Sequence, residues 1–162
     1  MEQTMKIIGF WKSKDEYGEF CNWYNAKFVY DGKEFKNSEQ AFMYLKAKLF
    51  NDNDIMEKIL LNGNPMICKN LGRAVKQFDS NVFDNHKYKF MVKVLYAKFS
   101  QNEQLKTKLI NTGDAILVEA SPKDKIWGIG MDVNHPDFNE PSKWQGQNLL
   151  GKALMEVRGE LK

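Results

Sequence analysis

Apolar residues recur at helical spacing over most of the chain, whereas extended segments are confined to its beginning and to one later stretch. The segments predicted to be helices are 38–50, 54–61, 65–75, 83–99, 103–110 and 149–161. The segments predicted to be extended are 7–8, 17–20, 27–30, 33–35 and 115–120. Because no repeat, linker or low-complexity stretch interrupts this pattern, it predicts one α+β domain over 1–162, mainly helical with a few short strands.

The helix predicted over 38–50 follows directly on a predicted hairpin. Asp31 and Gly32 form the strongest short hairpin signal in the sequence, a tight primed turn between two extended segments. Ser38 is the predicted N-cap, since its hydroxyl can accept from the free amides of the first turn. Glu39 then lies in that first turn, where the helix dipole favours a carboxylate. We therefore expect the hairpin to determine where Glu39 points.

Glu39 and Lys46 are seven residues apart, about two helical turns, so they lie on the same face of this helix. An acid and an amine aligned on a helix whose other positions are apolar indicate a catalytic site. The alternative is that Glu39 only complements the helix dipole and that Lys46 is a solvated surface residue.

A second candidate is Asn22, which lies among the aromatic residues Phe20, Trp23 and Tyr24. One interpretation is a loop held under the core by its rings. The other is that the Asn22 amide and an aromatic wall line a pocket for a flat ligand.

Two further candidates follow the buried extended segment 115–120. Glu119 is a carboxylate at the exit of this segment, which is costly unless it is paired, so it is expected to anchor a loop or a backbone. Trp127 and Gly128 offer a flat ring for stacking and a close backbone approach. The later loop 133–146 is long enough to be a lid or a binding segment.

Composition narrows the function classes. A hydrophobic content of 43% and an aromatic content of 13% are typical of a packed globular protein. The net charge is +3 and only two of the 24 basic residues are arginine, which disfavours sequence-specific reading of DNA. The two cysteines and two histidines show no zinc-ligand spacing, so no metal and no redox cofactor are expected. No signal-peptide or membrane-spanning segment is visible, which predicts a cytoplasmic protein.

Five short motifs, taken in order, resemble the YbiA-like, or NADAR, family. They are Ser38-Glu39-Gln40-Ala41 with Lys46-Ala47, Leu71-Gly72-Arg73, Leu117-Val118-Glu119-Ala120-Ser121, Ile126-Trp127-Gly128-Ile129-Gly130, and the segment from Trp144 to Arg158 with Asn148-Leu149-Leu150-Gly151. The resemblance covers nearly the whole chain, from the first strands to the last helix.

The resemblance implies an N-glycosidase, a hydrolase that splits the bond between a base-like ring and a ribose. The substrate classes it implies are reactive early intermediates of riboflavin synthesis and ADP-ribose attached to guanine, so the partner is a small ribosylated molecule or an ADP-ribosylated nucleic-acid base. The family's acidic residue corresponds to Glu39, its lysine to Lys46 and its stacking tryptophan to Trp127. Ile129 stands where some members have an acidic residue, and Asp132 resembles the acid of the Trp-Gly-Ile-Gly branch.

For such a reaction Glu39 could act as a base or stabilise positive charge on the ribose, and Asp132 could act as an acid. Lys46 could keep Glu39 ionised or attack a ring-opened sugar. The expected substrate-binding residues are Trp127, Asn22, Arg73, Gly128, Glu119 and Asn148, with Arg73 or a lysine holding a phosphate. The alternatives are a nucleotide-binding module without turnover and a lysine-based binder of single strands, which the low net charge disfavours.

Overall fold

The structure is a computed structural model that describes residues 5–162. Within these residues, seven α-helices, four short strands and two 3-10 helices alternate along the chain. The strands are β1 (Ile7–Phe10), β2 (Phe28–Tyr30), β3 (Lys33–Phe35) and β4 (Ile116–Glu119). The helices are α1 (Ser38–Leu49), α2 (Asn53–Leu60), α3 (Pro65–Arg73), α4 (Ser80–Asp84), α5 (Lys87–Ser100), α6 (Glu103–Asn111) and α7 (Leu149–Leu161). The predicted α+β class, mainly helical with few short strands, is confirmed.

Two compact units make up the chain, and each is described here by itself. The terminal unit contains residues up to Cys21 and from Gln104 onward, and the central unit runs from Asn22 to Glu103. The prediction that 1–162 is a single domain stays a prediction. No helix among residues 5–162 is long and apolar enough to cross a membrane.

In the terminal unit, β1 and β4 pair in parallel, with Ile7 opposite Ile116 and Phe10 opposite Glu119. Helix α7 packs against β4. A cluster of buried apolar side chains lies beside this strand pair: Val118, Ala120, Ile129, Met131 and Phe138. The prediction that 17–20 is extended is wrong, since Gly18–Phe20 form a 3-10 helix. The side chain of Phe20 is fully buried.

In the central unit, β2 and β3 form the predicted antiparallel hairpin. Asp31 and Gly32 both have positive φ, at 55° and 70°, which a primed two-residue turn requires. The Asp31 carboxylate accepts from the Tyr44 hydroxyl at 2.8 Å and from the Lys48 amine at 2.7 Å. Both donors belong to α1, so the turn and this helix are tied together as expected.

Helix α1 is the centre of the central unit and packs against α2, α3 and α5. Its packing against α3 is close, because a Cβ on Gly72 would lie 2.0 Å from the Met43 sulfur. The predicted N-cap is wrong by one residue. Asn37 caps α1 by accepting from the Gln40 amide at 2.8 Å, and Ser38 is the first helical residue.

The helix predicted over 83–99 is two helices, α4 and α5, which Asn85 and His86 separate. Asp79 caps α4 by accepting from the amides of Asn81 and Val82, so this helix begins at Ser80, before the predicted start at 83, and ends at Asp84. In the sequence, Lys87, Lys89, Lys93 and Lys98 lie off the apolar stripe of the predicted helix 83–99, which predicts a solvated face. Lys98 is instead completely buried, with its amine 5.1 Å from the Phe99 ring centroid.

Candidate functional site

Glu39 lies in the first turn of α1, as the sequence predicts, and its side chain is buried with 8% of the residue exposed. Its amide donates to the Asn22 carbonyl at 3.1 Å, and the neighbouring Gln40 amide donates to the Asn37 side chain. These contacts fix the start of the helix, where the free amides create a positive potential that favours a carboxylate.

Lys46 lies two turns further along α1 and is partly buried. Its amine lies over two aromatic rings, 4.5 Å from the Phe78 centroid and 5.4 Å from the Phe83 centroid. Burial lowers the pKa of the Lys46 amine below its usual value, the charge of Arg73 lowers it further, and Glu39 acts in the opposite direction. Lys46 is therefore a partly desolvated amine on which both a cation and an anion act, and not a solvated surface lysine.

Helix α3 contributes Arg73 and Cys68 to the same surroundings. Arg73 is exposed near the end of this helix and acts electrostatically on Lys46. Cys68 is fully buried and donates to the Asn62 carbonyl at 3.1 Å. Burial, followed by the charge of Glu39, raises the pKa of the Cys68 thiol to about 11, so the sulfur is a neutral thiol at physiological pH.

Asn22 joins this group through its backbone carbonyl, which accepts from Glu39. Its side-chain oxygen is buried and has no hydrogen-bond partner among the described residues. Of the predicted site residues, the central unit thus brings together Asn22, Glu39, Lys46 and Arg73. We call these four residues the acid–amine cluster.

The terminal unit brings together Glu119, Gly128 and Asn148. Asn148 begins α7 with a left-handed φ of 54°; its side-chain oxygen accepts from the Glu119 amide at 3.1 Å, and its side-chain nitrogen donates to the Leu117 carbonyl at 3.0 Å. A Cβ on Gly128 would lie 2.8 Å from the Glu119 carbonyl oxygen and 3.3 Å from its carboxylate Oε2. The close backbone approach expected at Gly128 is therefore present, and it is an approach to Glu119.

Trp127 is held in this unit by its backbone, and its side chain is partly buried. Its amide donates to the Asp124 carboxylate at 2.8 Å, and its carbonyl accepts from the Leu150 amide at 3.1 Å. Stacking by the Trp127 ring stays a prediction.

Asp132 occupies a different place in the terminal unit. It lines a cleft of about 510 Å³ together with Gly9, Trp11, Tyr17 and Ala120. Its carboxylate accepts from the Asn134 amide at 2.9 Å, a local turn contact. No group of three or more His, Cys, Asp or Glu side chains within residues 5–162 is placed to hold a metal ion.

Nearly all of the chain is similar to one protein family, since residues 9–162 match the NADAR domain. The chain belongs to the NADAR family. It is 40% identical over 146 residues to N-glycosidase R617 of Acanthamoeba polyphaga mimivirus, and the aligned residues cover 87% of this chain and 86% of that protein. It is 33% identical over 155 residues to N-glycosidase YbiA of Escherichia coli (strain K12), and the aligned residues cover 96% of this chain and 88% of that protein.

The NMR structure of Escherichia coli YbiA is similar to this NADAR chain over its length. The TM-score is 0.80 at 32% sequence identity, covering 99% of this chain and 87% of that chain. A third relative is the riboflavin biosynthesis protein VVA0006 of Vibrio vulnificus (strain YJ016), which is 31% identical over 161 residues, covering 99% of this chain and 39% of that protein. The predicted family is thus confirmed.

Three residues beside the acid–amine cluster of this NADAR chain have no counterpart among the sequence predictions. Phe78 and Phe83 lie against the Lys46 amine, and Cys68 lies within electrostatic range of Glu39. Phe78 precedes α4 and belongs to no helix or strand, so no periodicity marks it. The spacing of five residues between the two rings carries no signal by itself.

The acid–amine cluster offers three chemical services. A buried carboxylate can accept a proton from water or stabilise positive charge that develops nearby. A desolvated amine can be neutral more readily than an exposed one and can then act as a nucleophile. An exposed guanidinium can bind a phosphate with two parallel hydrogen bonds.

Proposed function

We propose that this NADAR protein is an N-glycosidase that hydrolyses the bond between a ring nitrogen and the ribose of a phosphorylated nucleoside-like substrate. The observation that carries the proposal is the acid–amine cluster, in which the buried Glu39 carboxylate and the desolvated Lys46 amine share one face of α1. The names of the relatives R617 and YbiA, both N-glycosidases, support the same reaction class.

The reaction breaks the bond between the ribose C1 and the ring nitrogen, and the bonding electron pair leaves with the nitrogen. Positive charge then develops on the ribose, and a water oxygen bonds to C1. Glu39 stabilises this charge and accepts the proton that the water loses. The departing nitrogen takes up a proton from solvent, so the products are the free phosphorylated ribose, which is ADP-ribose where that group was attached, and the released base.

Two roles remain open for Lys46. As an ammonium, it keeps Glu39 ionised, because a nearby opposite charge favours the charged form of a carboxyl group. As a neutral amine, it attacks the C1 of a ring-opened sugar, and the bond from C1 to the departing nitrogen breaks with its electron pair on that nitrogen, which takes up the proton that the amine loses. Water then hydrolyses the imine between C1 and the Lys46 Nζ and frees the lysine. Because its pKa is lowered, a larger fraction of Lys46 than of an exposed lysine is neutral at a given pH, which favours the second role.

For the substrate we propose a reactive early intermediate of riboflavin synthesis or ADP-ribose attached to guanine. The name of the Vibrio vulnificus relative, a riboflavin biosynthesis protein, supports the first class. Arg73 is the proposed phosphate ligand. The substrate is the only partner we propose, and a cytoplasmic location stays a prediction from the sequence.

The test is single-turnover hydrolysis of a ribosylaminopyrimidine phosphate and of ADP-ribosylated guanine, with the released base quantified by chromatography. Glu39→Gln removes the charge but keeps the shape, so turnover should fall by about 10²-fold or more, within the range typical for a positioned proton acceptor. Glu57→Gln is the matched control, because Glu57 is an exposed carboxylate on α2 of the same unit.

Two results contradict the proposal. If the parent binds both substrates stoichiometrically and releases no base, the protein is a nucleotide-binding module and not an enzyme. If Glu39→Gln and Glu57→Gln turn over at the same rate, Glu39 serves only the helix dipole, for which the stability effect reaches about 2 kcal/mol at a partly buried site.

A further inference from the structure

A connected set of four aromatic rings lies beside the end of the Lys46 side chain, which contacts two of them. Phe83 contacts Phe42 of α1 and Phe78, both with centroids 5.7 Å apart, and Phe78 contacts Phe50 at 5.4 Å. We call Phe42, Phe50, Phe78 and Phe83 the aromatic wall. Two of its rings, Phe78 and Phe83, lie under the Lys46 amine.

Core packing does not account for the outer part of this wall. Phe78 is 45% exposed, and α4, which carries Phe83, contains no fully buried residue. A large ring that stays this exposed gains little from burial. Besides its contacts with the rings of Phe50 and Phe83, Phe78 lies against the Lys46 ammonium, and a ring face attracts an ammonium within about 6 Å of its centroid.

We propose that Phe78 and Phe83 are positioning residues for Lys46, whose amine they hold by their ring faces at a fixed place within the acid–amine cluster. The proposal rests on the proposed N-glycosidase function, for which it supplies two residues that orient the reacting amine. Neither ring needs to touch the substrate for this role.

Each of the two rings acts on the protonation of the Lys46 amine in two opposite ways. They exclude water from one side, which disfavours the ammonium, and their negative faces attract it. The charged groups that act on Lys46 from the neighbouring helices are Arg73 on α3 and Glu39 on α1. Leucine at position 78 keeps the apolar cover but has no negative face, whereas tyrosine keeps both.

The experiment measures the pH midpoint of Lys46 acetylation by trace acetic anhydride, with peptide mass spectrometry, beside single-turnover kinetics. For Phe78→Leu we expect the midpoint to move to lower pH and turnover to fall by about 2- to 30-fold, the loss that one cation–π contact represents. Phe78→Tyr should restore both quantities to the parent values. The matched control is Tyr96→Leu, since Tyr96 is 44% exposed in the same unit and lies on α5.

The acetylation midpoint separates this proposal from the proposed function, because it needs no substrate. If Phe78→Leu has the same midpoint as the parent and Tyr96→Leu, the positioning role is overturned, whatever the turnover. If the midpoint moves for Phe78→Leu alone but the parent releases no base from either substrate, the positioning role stands and the N-glycosidase proposal fails.

Discussion

Gly151 in α7 is a position at which the structure predicts a large effect of a single added methyl group. A Cβ there would lie 2.0 Å from the Leu117 carbonyl oxygen and 2.5 Å and 2.6 Å from the two polar atoms of the Asn148 side chain. All of these atoms are buried, and Leu117 offers backbone that cannot rotate away. Gly151→Ala must therefore separate α7 from β4 by roughly 1 Å or more, since ordinary contacts begin at 3.4 Å.

The expected cost combines three effects. Overpacking a buried site costs about 1–3 kcal/mol. Losing the two hydrogen bonds of Asn148 to β4 costs about 0.5–1.5 kcal/mol each. Alanine in place of glycine within a helix returns about 1 kcal/mol. We expect the free energy of unfolding to fall by about 1–5 kcal/mol, which corresponds to a Tm lower by about 2–20 °C for a chain of this length.

The assay is urea unfolding of Gly151→Ala and Gly159→Ala beside the parent. Gly159 lies in the same helix, and nothing lies within 4 Å of a Cβ placed there. Gly159→Ala should be neutral or more stable, by up to about 1 kcal/mol. If both variants unfold at the same urea concentration, Gly151 does not hold α7 close to β4 and the reasoning is wrong.

Two other predictions concern the candidate site residues. Trp127→Ala should weaken substrate binding by about 5- to 150-fold if the ring stacks on a base, and Trp127→Phe should weaken it less. Calorimetric titration measures both affinities, and equal affinity of the Ala variant and the parent would contradict stacking. Lys46→Met should stabilise the fold near neutral pH, because burial lowers the pKa of the amine below its usual value of 10.5 and so disfavours the ammonium in the folded state. The parent should become more stable as pH rises from the lowered pKa of Lys46 in the folded protein to 10.5, so the stability advantage of Lys46→Met should shrink over that pH range. Urea unfolding of both proteins across this range measures the difference, and a difference that stays constant with pH would contradict the prediction.

Elements whose geometry depends on their own residues were predictable from the sequence. The Asp31-Gly32 turn needs two positive φ angles, which these residue types tolerate, and the structure has both. Helix α3 begins at Pro65 as predicted, and the Asn64 side chain before it accepts from the amides of Met66 and Ile67. Local chemistry decides these features, so no knowledge of the rest of the chain was needed.

Features decided by residues far along the chain were not predictable. Ser38 and Asn37 are both good caps, but the Asn37 side-chain nitrogen also donates to the Gly63 carbonyl at 2.8 Å, and this distant contact selects Asn37. Lys98 was predicted to be solvated because lysine in a helix usually is, and its burial beside the rings of Tyr24 and Phe99 follows from tertiary packing.

The acid–amine cluster shows the same division. The seven-residue spacing placed Glu39 and Lys46 on one face of a helix, because that relation is internal to α1. The aromatic wall was invisible, since Phe78 lies outside any periodic segment. Arg73 could be named from the motif, but its electrostatic effect on Lys46 depends on the packing of α3 against α1.

Asn148 shows how a residue named from a motif can serve the fold. Ala120, directly after β4, donates its amide to the Phe10 carbonyl of β1. Because neighbouring residues of a strand alternate in direction, the amide of Glu119 and the carbonyl of Leu117 point to the opposite edge of β4. The Asn148 side chain meets both of these groups, as a neighbouring strand would. Its left-handed backbone starts α7 beside that edge, and its amide donates to the Gly128 carbonyl. One residue therefore satisfies an open strand edge and holds the loop after Trp127 in place, so loss of Asn148 would disturb Glu119 and Gly128 whether or not Asn148 touches a substrate.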